Sequence, residues 1–73
     1  MNLITIQTLK TGEVARSFMT YETLEDAVGA LYQTLASSVI DNKVSDVLTI
    51  IMNDQGRIMK QDGWKRSDIG GKN

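Results

Sequence analysis

The sequence predicts an α+β domain of two layers, ordered ββαββ, with one helix packed on a four-stranded, mainly antiparallel sheet. Three observations carry this expectation. Runs rich in β-branched residues without helical period lie at both ends, and one central run repeats its apolar residues every three or four positions. Glycine-bearing turns separate the strand-like runs within each pair.

Leu3-Ile4-Thr5-Ile6-Gln7-Thr8-Leu9 reads as the first strand, and Lys10-Thr11-Gly12-Glu13 as a tight turn in which Gly12 takes positive φ. Val14 to Met19 alternates as a returning strand, which makes the pair a hairpin. A helix follows from about Tyr21 to about Ile40. Thr20 and Thr23 are both candidate N-caps, and Asp26 stands three residues after Thr23 in a variant of the capping box. Glu22, Glu25 and Asp26 suit the positive end of the helix dipole. Leu24, Ala27, Val28, Leu31, Leu35 and Val39 mark one apolar face, and Asp41-Asn42-Lys43 ends the helix.

Val44 to Met52 forms the third expected strand, and Asn53-Asp54-Gln55-Gly56 a turn whose glycine supplies the left-handed residue of a bulged hairpin. Arg57 to Gln61 forms the fourth, with Asp62-Gly63 turning the chain again before Trp64. Residues 1–66 thus make a single domain. Residues 67–73 have little to bury and are expected to be a disordered tail. Because the helix carries the chain back, strand three runs in the direction of strand two. An all-antiparallel sheet therefore has order 2-1-3-4, and a parallel pairing of strands two and three through a right-handed crossover is the alternative.

One helix covers one face of such a sheet, so the other face ought to be polar. The strands do not alternate in that way. Ile4 and Ile6 oppose Leu3 and Leu9; Val14 and Phe18 oppose Ala15 and Met19; Leu48, Ile50 and Met52 oppose Val47 and Ile51; Ile58 opposes Met59. If about five of these stay on the face without a helix, the burial forgone is at most ~8–15 kcal/mol, comparable to a domain's whole stability. A homodimer or another protein partner is expected to cover that face or a strand edge. The competing expectation is that Trp64 and the tail fold back over it. Gly29, with Ala30, Gln33 and Ser37, forms a small-residue strip off the apolar stripe, read either as a place for another helix or as a tolerated surface glycine.

Composition narrows the chemistry. The 73 residues contain no Cys and no His, which removes disulfides, the usual zinc ligands and the Ser–His and Cys–His nucleophile arrangements. Glu22, Glu25 and Asp26 are accounted for by the helix dipole, Asn53-Asp54-Gln55-Gly56 lacks the downstream Glu of a calcium loop, and no glycine-rich phosphate loop is present. A non-enzymatic protein without cofactor or metal is expected. The N-terminal run lacks the basic region of a signal peptide, and no segment approaches the ~18 apolar residues of a membrane span, so the expected location is the cytoplasm, with no membrane contact.

Charge is unevenly placed: residues 1–56 carry a net −4 and residues 57–73 a net +3. Lys60, Trp64, Lys65 and Arg66 set three cations around one indole, a candidate contact for a partner or for a nucleic-acid base. The ordinary role of such a Trp is to anchor the chain end. The phrases Ile6–Phe18, Leu31–Ser37 and Asn53–Arg66 resemble small uncharacterised proteins of phage and mobile-element regions in gut Firmicutes, a likeness spanning most of residues 4–66. The resemblance carries no catalytic motif. It implies an accessory protein acting through protein contacts, and the residues themselves point to a homodimeric protein–protein interaction module. The alternative is a nucleic-acid-binding accessory protein using the basic end.

Overall fold

A computed structural model describes residues 1–66. The expected tail at residues 67–73 lies outside the described residues. Strands β1 (Asn2–Leu9) and β2 (Val14–Thr20) precede helix α1 (Leu24–Ile40), and strands β3 (Val44–Met52) and β4 (Ile58–Lys65) follow it. The sheet is antiparallel throughout, with order β2-β1-β3-β4. The antiparallel arrangement expected from the chain direction is therefore the one adopted, and the parallel crossover is not.

Both hairpins use the same turn. Leu9 N–H donates to the Glu13 carbonyl at 2.8 Å while Gly12 N–H returns to Leu9 at 2.9 Å; Asn53 and Gly56 repeat this pattern at 2.9 and 3.0 Å. In each, a glycine at φ 94° or 84° occupies the left-handed position that a side chain would disfavour. The Asn53 carboxamide oxygen also accepts from the N–H groups of Gln55 and Arg57, which pins the second turn from inside.

The helix begins later than the acidic cluster implies. Thr23 is extended and its hydroxyl accepts from Asp26 N–H at 3.1 Å, so Thr23 rather than Thr20 is the N-cap. Its inner face meets the sheet through Ala27 and Leu31, which join Leu3 and Ile51 in a fully buried cluster, with Met1, Tyr21, Val28, Ala30 and Leu35 packed around it. Leu24 and Val39, at the ends of the expected apolar stripe, stay exposed. Ser38 is buried instead, because Gln7 reaches across from β1 and donates to its hydroxyl at 2.9 Å. The helix lies mainly on β3, with lesser contact to β1 and β4.

Strand β4 differs from its expected extent. It does not turn at Asp62-Gly63 but continues to Lys65, pairing Trp64 with Val47. Two contacts keep it straight. The buried Thr49 hydroxyl donates to the Asp62 carbonyl at 2.9 Å. A Cβ at Gly63 would collide with the Val47 carbonyl oxygen, so this glycine serves a close approach of two backbones. Gly29 is the opposite case, exposed on the helix with nothing near its missing Cβ. Gly29→Ala should therefore stabilise the fold by about 1 kcal/mol. Gly63→Ala should destabilise it by about 1–3 kcal/mol as the strands part. Urea denaturation of the two variants checks both signs.

Candidate interaction surface

Register fixes which side chains share a face, because directly paired residues in an antiparallel sheet project to the same side. Leu3, Val47 and Ile51 are buried beneath the helix. Their strand neighbours Ile4, Ile6, Leu48 and Ile50 consequently lie on the side away from it, where Ile4 pairs with Ile50 and Ile6 with Leu48. Phe18 of β2 stands opposite Ile4, and Met52 of β3 opposite Ile58 of β4. Among the described residues the centre of the helix-free face is thus apolar, with Phe18 61%, Ile58 54% and Val14 43% exposed around it.

Polar groups ring this patch. Asn2 and Thr20 pair at one end, their side chains 3.2 Å apart. Thr8, Asp46 and Lys65 stand in register at the other. Arg16 and Gln61 lie toward the two sheet edges. An apolar centre with a polar margin is the anatomy of a protein contact surface.

The two edges are built differently. Strand β4 carries Lys60, Asp62 and Lys65, a register shift opposite Ile51 and Met52, and the close approach at Gly63. Charges and bulges of this kind discourage strand addition. Every residue of β2 is exposed, it lies outside the helix's main footprint, and Arg16 is its one charge. Nothing in its sequence blocks a further strand.

The four residues of the basic end do not converge. Alternation along β4 places Lys60 and Trp64 on the helix side, paired with Ile51 and Val47, and Lys65 on the open side, paired with Asp46. The Lys60 ammonium sits 5.2 Å from the centre of the Tyr32 ring. Its pKa is raised, first by hydrogen bonding to the Tyr32 side chain and then by Coulombic attraction. Trp64 is half-buried, with its indole Nε1 out of contact with water and without a hydrogen-bond partner. It does not fold over the open face.

Arg66 is committed to the fold. Its Nε donates to the Val44 carbonyl at 2.9 Å, and its terminal nitrogens reach the carbonyls of Asp41 at 2.8 Å, Val39 at 3.3 Å and Ser38 at 3.5 Å. The helix has no basic residue in its own last turn, so this guanidinium supplies the cation that its negative end favours. The guanidinium carbon also lies 5.0 Å from the centre of the Trp64 ring. Sequence reasoning had no signal for this clamp, since all four carbonyls come from residues more than twenty positions away.

Among the described residues no group of three or more acidic, His or Cys side chains is placed to hold a metal ion. No described helix is long and apolar enough to cross a membrane. No protein-family model, curated protein or solved structure matches the chain.

Arg66→Ala should lower stability by about 2 kcal/mol, the order expected when charge-assisted hydrogen bonds are lost. Arg66→Lys should recover less than half of this, because a single ammonium cannot span the four carbonyls. Urea denaturation followed by fluorescence of Trp64, the one Trp in the sequence, measures both.

Proposed function

We propose that this chain is a non-enzymatic protein–protein interaction module that works as a homodimer, two copies meeting through their helix-free sheet faces. The carrying observation is the continuous apolar register Phe18–Ile4–Ile50 across three strands, flanked by Ile6–Leu48 and Met52–Ile58. A patch of this kind in water is unusual for a monomer.

A second copy suits the face in size and charge. Strand spacing of ~4.8 Å and a rise of ~3.3 Å per residue give it a footprint of about 20 by 25 Å. Two copies stacked there remove roughly 1,000 Å² from water, the lower limit for a specific interface. The charged residues of the face are Arg16, Lys65 and Asp46, a mixed set that does not repel its own copy strongly. Sheets stacked in this way pack about 10 Å apart with interleaved side chains.

The resemblance of residues 4–66 to phage and mobile-element proteins implies an accessory role. The alternative, nucleic-acid binding through Lys60, Trp64, Lys65 and Arg66, has less support: β4 divides these residues between two faces, and Arg66 is occupied by backbone carbonyls. Salt-dependent retention on DNA or RNA that is lost in Lys65→Ala would favour it.

Light scattering after size exclusion tests the dimer. Wild-type chain at high micromolar concentration should exceed the monomer mass of 8.1 kDa by at least twofold. Ile50→Lys, at the centre of the face, should weaken association at least tenfold while circular dichroism keeps the folded signature. Ile58→Lys, where the native side chain is already 54% exposed, provides a second variant with little effect on the monomer. Monomeric wild-type chain, or folded variants that associate as the wild type does, would contradict the proposal.

A further inference from the structure

We infer that β2 is a second self-association surface, pairing antiparallel with β2 of another copy across a two-fold axis at Ser17. This rests on the face-paired dimer and extends it: the edge seam joins two such dimers into a closed tetramer.

Hydrogen-bond phase along the first hairpin shows which backbone groups are available. Met1 and Tyr21 exchange both bonds, at 2.7 and 2.9 Å, and Leu9 N–H donates to Glu13. In an antiparallel pair such hydrogen-bonded positions alternate with non-bonded ones. Ala15, Ser17 and Met19 therefore direct their N–H and C=O groups toward β1. Val14, Arg16, Phe18 and Thr20 direct theirs outward from the sheet, and β2 is an edge strand. Such a row is a template for another strand unless something blunts it. Strand β4 is blunted by its charges and bulge. Strand β2 is not.

The strand is complementary to itself in one register. Ser17 is the midpoint of Val14–Thr20, so an axis there pairs the whole strand with its copy. It sets Arg16 opposite Phe18 of the second copy, twice, a cation against an aromatic ring. Val14 then meets Thr20, and Ala15 meets Met19. The outward-facing positions fall opposite one another, forming about eight new main-chain hydrogen bonds. Shifting the axis to Arg16 would place like charges directly opposite and shorten the overlap. The Ser17 register alone keeps full length and avoids that repulsion.

Area explains why seam and face belong together. One seven-residue strand pair buries well below the ~800 Å² per partner of a standard interface, and the face alone only reaches the lower limit. In a tetramer each copy contributes both. Two perpendicular two-fold axes close the assembly and leave no further β2 edge.

Charge insertion and cysteine cross-linking separate the two surfaces. Ser17 is exposed and shares the helix side of the sheet with its partner Thr5, away from the face that the dimer buries, so Ser17→Lys should fold and keep the face dimer. Wild-type chain should show about four times the monomer mass, and Ser17→Lys, which sets two ammonium groups opposite each other across the seam, about twice. The sequence has no Cys, so Ser17→Cys introduces a single thiol, which should oxidise to a covalent dimer at least tenfold faster than Met19→Cys on the same strand face. A wild-type dimer unchanged by Ser17→Lys, with equal cross-linking at both positions, would overturn the seam and leave the face dimer standing. A wild-type monomer would overturn both. Persistence of the tetramer in Ser17→Lys would equally overturn the seam.

Discussion

Among the described residues a single helix of seventeen residues has to cover a sheet four strands wide, and most of the organisation seen follows from that shortage. The helix settles on β3, where Ile51, Thr49 and Val44 become completely buried, Ile51 in one cluster with Leu31. Its lesser contacts reach β1 and β4. Beyond its main footprint β2 is left exposed along its whole length, and among the described residues no second layer lies behind the sheet. In a larger protein a second helical layer would fill that space. Here the residues at the centre of that face are nevertheless isoleucine, leucine, methionine and phenylalanine, with polar groups at its margin. The covering layer we propose is another copy of the same chain.

The same shortage accounts for the basic end. With no cation in its last turn, the helix closes through Arg66, which follows directly after β4 and gathers carbonyls from the helix end, its cap Asp41 and the first residue of β3. Trp64 lies beneath that guanidinium and fills the sheet margin beside Val47. Lys60 covers the Tyr32 ring further along the same strand. Three of the four residues that looked like a contact for an outside partner thus hold the helix against β4. A charge cluster in sequence need not be a charge cluster in space, because a strand sends neighbouring side chains to opposite faces.

Legibility in the sequence followed the range of the interactions. Local chemistry was readable: the glycines of both turns and the Asn53 side chain, the Thr23 cap, and the strand order imposed by chain direction. The apolar character of both sheet faces was readable from failed alternation at Ile4, Ile6, Leu48 and Ile50. What escaped depended on distant partners. Asp62-Gly63 carries a turn signature, yet Thr49 and the Val47 carbonyl hold it extended. Ser38 looks like a surface residue until Gln7 reaches it from β1. Nothing in the spacing of Arg66 announces four carbonyl acceptors from residues 38–44.

The central claim, that a second copy covers the helix-free face, is tested most directly by isotope-filtered NOE spectroscopy on a mixture of labelled and unlabelled chains. The account predicts intermolecular contacts among the methyl groups of Ile4, Ile6, Leu48 and Ile50 and the ring of Phe18. Intermolecular contacts confined to other surfaces, or none at millimolar concentration, would contradict it.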